Sequence, residues 1–235
     1  MRSHHMMKAM SYKNRLEILL EYVFRRLILC QRSEQNIFQP MLSLVMLLVL
    51  SPLFLILSAL IYLEDGSFPF YQQVRVGQDR KLFSVIKFRS MKVNAEDTTG
   101  PMLSFAGDTR VTRIGKFIRA LHLDELPQLL NVLRGDMNFI GPRPERPFFV
   151  NKYCSEISSY TERLKVKPGI TGLAQVMLPY GASARDKLDF DRFYIKYRKS
   201  FSLKIMVLFL TLLKMIQMPF FSEKMNKFIN EAANG

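Results

Sequence analysis

The sequence predicts a mainly helical α+β protein in which a membrane helix, a small β-hairpin and amphipathic interfacial helices surround a cytoplasmic head. Residues 41–63 carry no charge, residues 70–89 alternate like two strands, and other segments repeat apolar residues at helical spacing. The predicted parts are an amphipathic extension over 1–40, a re-entrant membrane helix over 41–63, the head over 64–200, and an interfacial helix with a polar tail over 201–235.

The composition is both apolar and strongly basic. Of the 235 residues 49% are hydrophobic, and the net charge is +14. This combination is typical of a protein at an anionic membrane surface, or of one that binds a polyanion there, and nucleic acid is the competing partner. Cys30 and Cys154 have neither metal-ligand spacing nor a disulfide framework, so we expect a reducing compartment. The first residues lack the apolar core of a secretory signal peptide.

Residues 13–30 repeat leucine and valine at helical spacing, with arginines and glutamates on the other side. The pattern predicts an amphipathic helix that lies in the lipid interface or packs on another protein segment. The clustered arginines favour the interface.

The uncharged stretch over residues 41–63 is about 35 Å long as a straight helix, which would span a bilayer. Ser51 and Pro52 lie at its middle, where proline removes a backbone hydrogen bond, so a bend is expected. Basic residues balance on the two sides, which places both flanks in the cytoplasm: Arg25, Arg26 and Arg32 before, and Arg75, Arg80 and Lys81 after. A re-entrant helix-break-helix satisfies both observations, whereas a kinked transmembrane helix satisfies only the bend.

Two strands are predicted over residues 70–76 and 81–89, joined by a turn at 77–79. Alternation places Lys87 and Arg89 on one face at the end of the second strand. They form either a two-cation clamp for phosphate or two solvated charges, and the sequence leaves both interpretations open.

Two adjacent carboxylates, Asp124 and Glu125, precede a short apolar repeat that stops at Gly135. With Pro127 in the first turn, the pattern predicts that Asp124 is the N-cap of a short helix, whose free N–H groups keep it ionised. From these residues alone the pair is either a simple capping feature or a chemical site. A structural role is expected for His122.

A proline-stiffened loop over residues 141–147 presents Arg143 and Arg146. Such a loop loses little conformational entropy when it binds a ligand. Farther on, residues 201–221 are apolar but interrupted by Lys204 and Lys214, which are costly at the bilayer centre, so an interfacial helix is predicted there.

Several blocks recur in one order along the chain. They are Ser51-Pro52, KFRSM at 87–91, RIGKFIR at 113–119, LDELPQ at 123–128, GDMNFIGPRPE at 135–145 and KPGITGLAQV at 167–176. Together they resemble the bacterial sugar transferases that are monotopic polyprenyl-phosphate phosphoglycosyl transferases, over residues 41–213. One block is weak evidence, whereas six in order are specific. The entry to the membrane at 36–40 departs from the pattern of many relatives. The chain resembles a short form of the family, in which an amphipathic N-terminal extension replaces the multi-span domain of longer relatives, and the resemblance leaves the first 35 residues unexplained.

The resemblance implies transfer of a sugar phosphate from a UDP-sugar to undecaprenyl phosphate with release of UMP, starting a surface glycan at the bacterial inner membrane. Asp124 matches the nucleophile that forms a covalent phosphosugar intermediate, Glu125 its catalytic partner, and Mg²⁺ is expected near Asp124. The resemblance places the catalytic head on the cytoplasmic face, against membrane lipids. Candidate phosphate-binding residues are Lys87, Arg89, Arg119, Arg143 and Arg146. Asp191 matches a family acidic position, but the resemblance assigns it no step.

Two other hypotheses remain at this stage. One is a membrane-tethered protein that binds nucleic acid, which the charge suggests but no aromatic-basic RNA motif supports; we therefore predict no nucleic-acid partner. The other is an inactive scaffold of a glycan pathway, against which the intact pair of Asp124 and Glu125 argues. The sequence leaves open which sugar is transferred, which glycan is made, and the oligomeric state, a homodimer included.

Overall fold

The computed structural model describes residues 37–95, 108–179 and 181–215. The amphipathic helix predicted over 13–30, most of the loop between the hairpin and residue 108, and the tail after residue 215 lie outside the described residues. The described part is mainly helical, as predicted, and contains two small sheets, of which only the hairpin was predicted.

The elements follow one another along the chain. The helices are α1 (Phe38–Asp65), α2 (Arg113–Ala120), α3 (Leu129–Arg134), α4 (Pro147–Glu156), α5 (Leu173–Met177), α6 (Ala184–Tyr197) and α7 (residues 201–215). The strands are β1 (Phe70–Val76), β2 (Leu82–Phe88), β3 (Asn138–Ile140) and β4 (Gly169–Thr171), and short 3-10 helices cover Gln78–Arg80, Leu123–Gln128 and Tyr160–Lys165.

Helix α1 is, within the described ranges, the one helix long and apolar enough to cross a membrane. Only 11% of its most apolar window is buried. The helix continues through Ser51 and Pro52, and the Ser51 hydroxyl donates to the Leu48 carbonyl at 2.8 Å. The helix is therefore not interrupted at the predicted break. Proline has no N–H group to donate to the Leu48 carbonyl, and the Ser51 hydroxyl donates to it instead. The re-entrant path stays a prediction.

Polar side chains near both ends of α1 bind the head. At the start, Gln39 Oε1 accepts from the Phe139 N–H at 2.9 Å, and Ser43 Oγ donates to the Leu129 carbonyl at 2.6 Å. At the end, the Glu64 carboxylate accepts from the first two N–H groups of α2 at 2.7 and 3.1 Å. Glu64 therefore caps α2 from a distant part of the chain.

Between these ends, one side of α1 packs into the head. Leu57 and Ile61 are 2% and 3% exposed and form a core cluster with Phe88 of β2 and Ile118 of α2. The opposite side of α1 presents exposed leucine, valine and isoleucine side chains. One face thus belongs to the protein core and the other requires an apolar environment outside the described residues.

The predicted hairpin is confirmed. Strands β1 and β2 are antiparallel, and the side-chain amide of buried Asn131 donates to Ser84 O at 2.8 Å and accepts from Ile86 N at 3.0 Å. This side chain pairs with the edge of β2 as a neighbouring strand would. It fixes α3 against β2, and therefore the turn before α3 against Lys87.

A second sheet, which the sequence did not predict, pairs β3 and β4 in parallel. Two glycines make the approach possible: a Cβ on Gly169 would lie 2.0 Å from the Gly141 nitrogen. The close contact of the two backbones brings the loop after β3 against residues 167–169.

Helix α7 is apolar on two sides. Leu203 and Val207 are buried in the core, whereas an outward stripe is exposed: Phe201, Ile205, Leu208, Phe209 and Leu212. The Lys214 ammonium donates to the carbonyls of Gln175 and Leu178 at 2.7 and 3.3 Å, so this lysine is satisfied by the end of α5. Residues 201–215 of the predicted segment are helical, and the place of this helix in the lipid interface stays a prediction.

Candidate active site

The two carboxylates lie on the 3-10 helix Leu123–Gln128, between α2 and α3. The prediction that Asp124 is the N-cap was wrong: the N-cap is His122, whose backbone is left-handed at φ 54°, ψ 20°. This conformation ends α2 and starts the new turn one residue before Leu123, so Asp124 lies inside the turn. The backbone of His122 thus accounts for the structural role expected of it.

Glu125 is fully engaged with cations. Its Oε1 lies 2.7 Å from the Lys87 ammonium and 2.6 Å from Nη2 of Arg143, while Nη1 of Arg143 donates to Oε2 at 3.3 Å. Burial alone raises the pKa of Glu125, but Arg143 and Lys87 outweigh it and hold that pKa well below its usual range. Glu125 is therefore a permanent anion that holds two cations in place.

Asp124 differs sharply from its neighbour. It is 8% exposed, and no side chain within the described ranges donates a hydrogen bond to it. Burial raises the pKa of Asp124; Lys87 and Arg119 oppose this shift, and the adjacent Glu125 adds to it. The largest effect on this pKa is therefore burial, which acts against the ionised form that the helix N–H groups were expected to favour; ionisation of Asp124 at neutral pH stays a prediction.

The predicted cations are placed differently from one another. Lys87 and Arg143 meet at Glu125, and Arg119, in the last turn of α2, acts on the Asp124 pKa. Lys87 and Arg89 have different partners here, because Arg89 Nε donates to the Phe68 carbonyl at 2.9 Å and Lys87 donates to Glu125; a joint phosphate clamp stays a prediction. Arg146 is the N-cap residue of α4. Phosphate binding by these five residues stays a prediction.

Arg75 is a residue of this site that the sequence analysis missed. Its Nη1 donates to the Pro144 carbonyl at 3.1 Å and lies 3.8 Å from the Glu145 carboxylate. Burial and the neighbouring Arg143 lower the pKa of Arg75 to about 10. The hairpin pattern could have identified it. Arg75 lies opposite Phe83, and Phe83 is on the same face of β2 as Lys87, so Arg75 shares that face.

The loop that carries Arg143 is held by its backbone carbonyls. Those of residues 142–145 accept, in order, from Gly169 N at 3.0 Å, Arg163 Nη2 at 2.9 Å, Arg75 Nη1 at 3.1 Å and Val76 N at 3.0 Å. Since two of these four residues are prolines without N–H groups, carbonyl contacts are the main way to fix the loop. These contacts fix the backbone of the loop, and with it the position from which the Arg143 side chain reaches Glu125.

Asp191 takes part in this support. Its Oδ2 pairs with Arg163 Nε at 2.9 Å, both side chains are almost fully buried, and Arg163 Nη1 donates to the Tyr160 hydroxyl at 2.6 Å. Arg163 therefore connects Asp191 on α6 to the Arg143 carbonyl. The acidic position noted in the sequence acts through this arginine on the loop, without contacting Asp124.

Comparison with known protein families identifies the family of this chain. A family model described as "Bacterial sugar transferase" matches residues 30–218, which include all the blocks above. The chain belongs to the bacterial sugar transferase family.

Curated relatives in this family are similar over most of the described chain. The chain is 46% identical over 165 residues, 69% of its length, to an Aeromonas hydrophila protein named UDP-N-acetylgalactosamine-undecaprenyl-phosphate N-acetylgalactosaminephosphotransferase. It is 38% identical over 177 residues, 73% of its length, to a Klebsiella pneumoniae UDP-glucose:undecaprenyl-phosphate glucose-1-phosphate transferase. A Salmonella typhimurium undecaprenyl-phosphate galactose phosphotransferase is 34% identical over 202 residues, 75% of this chain. The matches cover 38%, 38% and 42% of these relatives, so the chain spans less than half of their length.

We expect Asp191→Asn to destabilise this sugar transferase. The change leaves the buried Arg163 guanidinium without its counter-charge, which costs about 3 kcal/mol or more of unfolding free energy. Denaturant unfolding of the detergent-purified protein measures it. Asp186→Asn, at the exposed start of the same helix, is the control and should change stability by less than about 1 kcal/mol. Equal stabilities of the two variants would contradict the buried ion pair.

Proposed function

We propose that the protein transfers a sugar phosphate from a UDP-sugar to undecaprenyl phosphate, releases UMP, and so starts a surface glycan. One observation carries the proposal: an uncommitted, buried carboxylate, Asp124, lies beside a fully paired one, Glu125, in a cluster of cations. Such a carboxylate is poised to attack phosphorus. The names of the three relatives all include undecaprenyl phosphate but differ in the sugar. They therefore support undecaprenyl phosphate as the acceptor and leave the identity of the sugar open.

The proposed reaction has two displacements at one phosphorus atom. In the first, an Asp124 oxygen attacks the phosphorus that bears the sugar, and the bond to the UMP oxygen breaks, so that UMP leaves with the bonding electrons. In the second, a phosphate oxygen of undecaprenyl phosphate attacks the same phosphorus and frees Asp124. The soluble donor and the lipid acceptor need not occupy the site together.

The cations explain how one anion approaches another. Lys87 and Arg143, held by Glu125, reduce the negative charge of the donor diphosphate before the carboxylate attacks. The lowered pKa of Glu125 makes it a poor proton acceptor, so we assign it the orientation of these two cations. Arg119 lowers the pKa of Asp124 and so favours its ionised form. Arg146 and Arg89 are further candidates for phosphate contact.

Magnesium fits the residues present. Within the described ranges no group of three or more His, Cys, Asp or Glu side chains encloses a metal. Mg²⁺ commonly needs no such cage, because it binds one or two carboxylates together with substrate phosphates and water. Asp124 offers carboxylate oxygens to which no side chain of the described residues donates a hydrogen bond, and we propose it as the protein ligand. The ion would neutralise phosphate charge on the donor.

The attachment of α1 supports a monotopic arrangement on the cytoplasmic leaflet. Gln39 and Glu64 both bind the head although a straight helix separates them by about 38 Å. A span perpendicular to the membrane would leave one of these ends far from a head on one side. We propose that α1 enters and leaves on the same side, with its exposed apolar face, and that of α7, in lipid.

Release of UMP tests the function. Detergent-purified protein, a panel of UDP-sugars, undecaprenyl phosphate and Mg²⁺ should yield UMP with at least one sugar. We expect EDTA to remove the activity and Mg²⁺ to restore it, because the diphosphate is no longer neutralised. No UMP with any donor, or full activity in EDTA, would contradict the proposal or its metal.

Labelling tests the topology. Single cysteines introduced at Ile37 and Ser67, just outside the two ends of α1, should both react with a membrane-impermeant thiol reagent only after the cytoplasmic side is opened. The background for both is the Cys30→Ser, Cys154→Ser protein. Labelling of the two positions from opposite sides would show a transmembrane helix instead.

A further inference from the structure

Residues 113–129, which we call the dyad segment, contain α2 and the turn that carries Asp124 and Glu125. Helix α1 holds this segment at both ends. Glu64, near the end of α1, accepts from the backbone N–H groups of the first two residues of the segment, and Ser43, near the start of α1, donates to the carbonyl of its last residue. The dyad segment therefore runs antiparallel to α1.

Apolar contacts fill the space between these two attachments. Ile118 of α2 belongs to one core cluster with Leu57 and Ile61 of α1. The side chains directly before and after the two carboxylates, Leu123 and Leu126, pack against the same cluster. The turn therefore rests on the inner face of α1, and a shift of either end of the dyad segment relative to α1 changes the position of the turn.

The two attachments are directional hydrogen bonds made by single side chains. Ser43 is fully buried, and its hydroxyl lies 2.6 Å from the Leu129 carbonyl oxygen. Each Glu64 oxygen accepts from one N–H group, whereas the Thr112 hydroxyl accepts from the next free one, that of Gly115, at 2.9 Å. Helix α2 thus has one cap from its own neighbour in sequence and one from α1. Only the cap from α1 fixes where α2 lies relative to that helix.

We propose that Ser43 and Glu64 are positioning residues for the proposed reaction: they fasten both ends of the dyad segment to α1 and so place the Asp124 carboxylate for its attack on the donor. The inference rests on the proposed function and adds two residues of the membrane helix to it. Attack requires the reacting atoms at near-contact distance, and a misplacement of about 1 Å can cost on the order of 100-fold in rate. Lys87 and Arg143 lie outside the dyad segment, on β2 and on the loop after β3, so donor binding depends less on these attachments.

The experiment measures kcat and KM for the UDP-sugar, and thermal unfolding, with the full chain in detergent. We expect Ser43→Ala and Glu64→Ala to lower kcat about 10-fold or more and to change KM by less than about threefold. Glu64→Gln keeps one acceptor oxygen, so its kcat should lie between those of Glu64→Ala and the unaltered protein. Glu64 is exposed, so both of its variants leave the core intact.

Thr112→Ala is the matched control. It removes a cap from the same end of α2 without separating that end from α1. We expect it to lower Tm by about as much as Glu64→Ala, because both variants leave N–H groups of the first turn uncapped. Its kcat should stay within about twofold of that of the unaltered protein, since the dyad segment remains fastened at both ends.

Three outcomes overturn the proposal. The first is an unchanged kcat in Ser43→Ala and Glu64→Ala. The second is an equal loss of kcat in Thr112→Ala, because the stability of α2 would then explain the effect. The third is a raised KM at unchanged kcat, because the attachments would then serve donor binding. The failure of the proposed function looks different, since the unaltered protein would then release no UMP from any UDP-sugar.

Discussion

Asp124→Asn should reduce UMP release by at least about 10³-fold, because the amide is no nucleophile and the neighbouring carboxylate, Glu125, is paired with two cations. Glu125 is held by Lys87 and Arg143. The pH dependence follows from the raised pKa of Asp124. The carboxylate must be ionised to attack, so we expect the activity of the unaltered protein to fall with decreasing pH, and the fall to move to lower pH as the Mg²⁺ concentration is raised, because a bound cation favours the ionised form. A release assay with saturating donor between pH 4 and 8 measures both effects.

The same substitution has a predicted effect on stability. Because the folded pKa of Asp124 is raised, the folded protein tolerates the protonated form at low pH and is penalised as the group ionises. Asn, which stays neutral, should therefore raise Tm relative to the unaltered protein at pH 7, and this difference should vanish below about pH 4. Asp79→Asn, exposed in the hairpin turn with φ 52°, is the control and should change neither activity nor Tm measurably. Turnover retained by Asp124→Asn would exclude this nucleophile.

Glu125→Gln should act on stability in the opposite direction. Removing the charge leaves the ammonium of Lys87 and the guanidinium of Arg143 together without their shared anion, at a cost of about 3 kcal/mol. Activity should fall by about 10²-fold or more, because the two cations no longer hold the position that neutralises the donor. Denaturant unfolding and UMP release on the same preparation measure the two quantities.

The pH dependence separates Glu125 from Asp124. The pKa of Glu125 is depressed, so its contribution to stability is present above the ordinary Glu value of about 4.3 and is lost as the pH falls through the depressed value. The stability gap between the unaltered protein and Glu125→Gln should therefore be full at pH 7 and close in strong acid. A Glu125→Gln protein as stable as Asp124→Asn at pH 7 would show that the two acids do not differ in pairing.

Local patterns predicted much of the fold. Alternation and a turn at 77–79 predicted the hairpin, and the apolar repeat that stops at Gly135 predicted α3, whose C-cap is Gly135. Both depend on neighbours in sequence, where the physical rules are strong. The pair of Asp124 and Glu125 was found for the same reason, since two adjacent acids in a basic segment can be recognised without knowledge of the fold.

Contacts between distant segments were harder to predict. The capping of α2 by Glu64, about 50 residues earlier, and the parallel pairing of β3 with β4 leave no periodic signal. The left-handed backbone of His122 moved the cap by two residues, because a short turn does not reveal where the preceding helix ends. Arg163, which gives Asp191 its role, lies in a 3-10 helix with no marked pattern.

The sequence also did not predict how the environments of Asp124 and Glu125 differ. The sequence predicted helix N–H groups as the main influence on Asp124, whereas the largest influence on its pKa is burial, and Lys87 and Arg143 pair with Glu125 instead. Which of two adjacent carboxylates receives the cations depends on the direction of each side chain from the turn. The positions of Lys87 on β2 and Arg143 on the loop after β3 decide it.

The most direct test of the central claim is mass spectrometry of the protein incubated with its UDP-sugar and Mg²⁺ in the absence of undecaprenyl phosphate. We predict a mass increase of one sugar phosphate, located by peptide fragmentation at Asp124, that disappears when undecaprenyl phosphate is added and is absent from Asp124→Asn. UMP release by the unaltered protein without any such adduct, or an adduct on another side chain, would contradict the account.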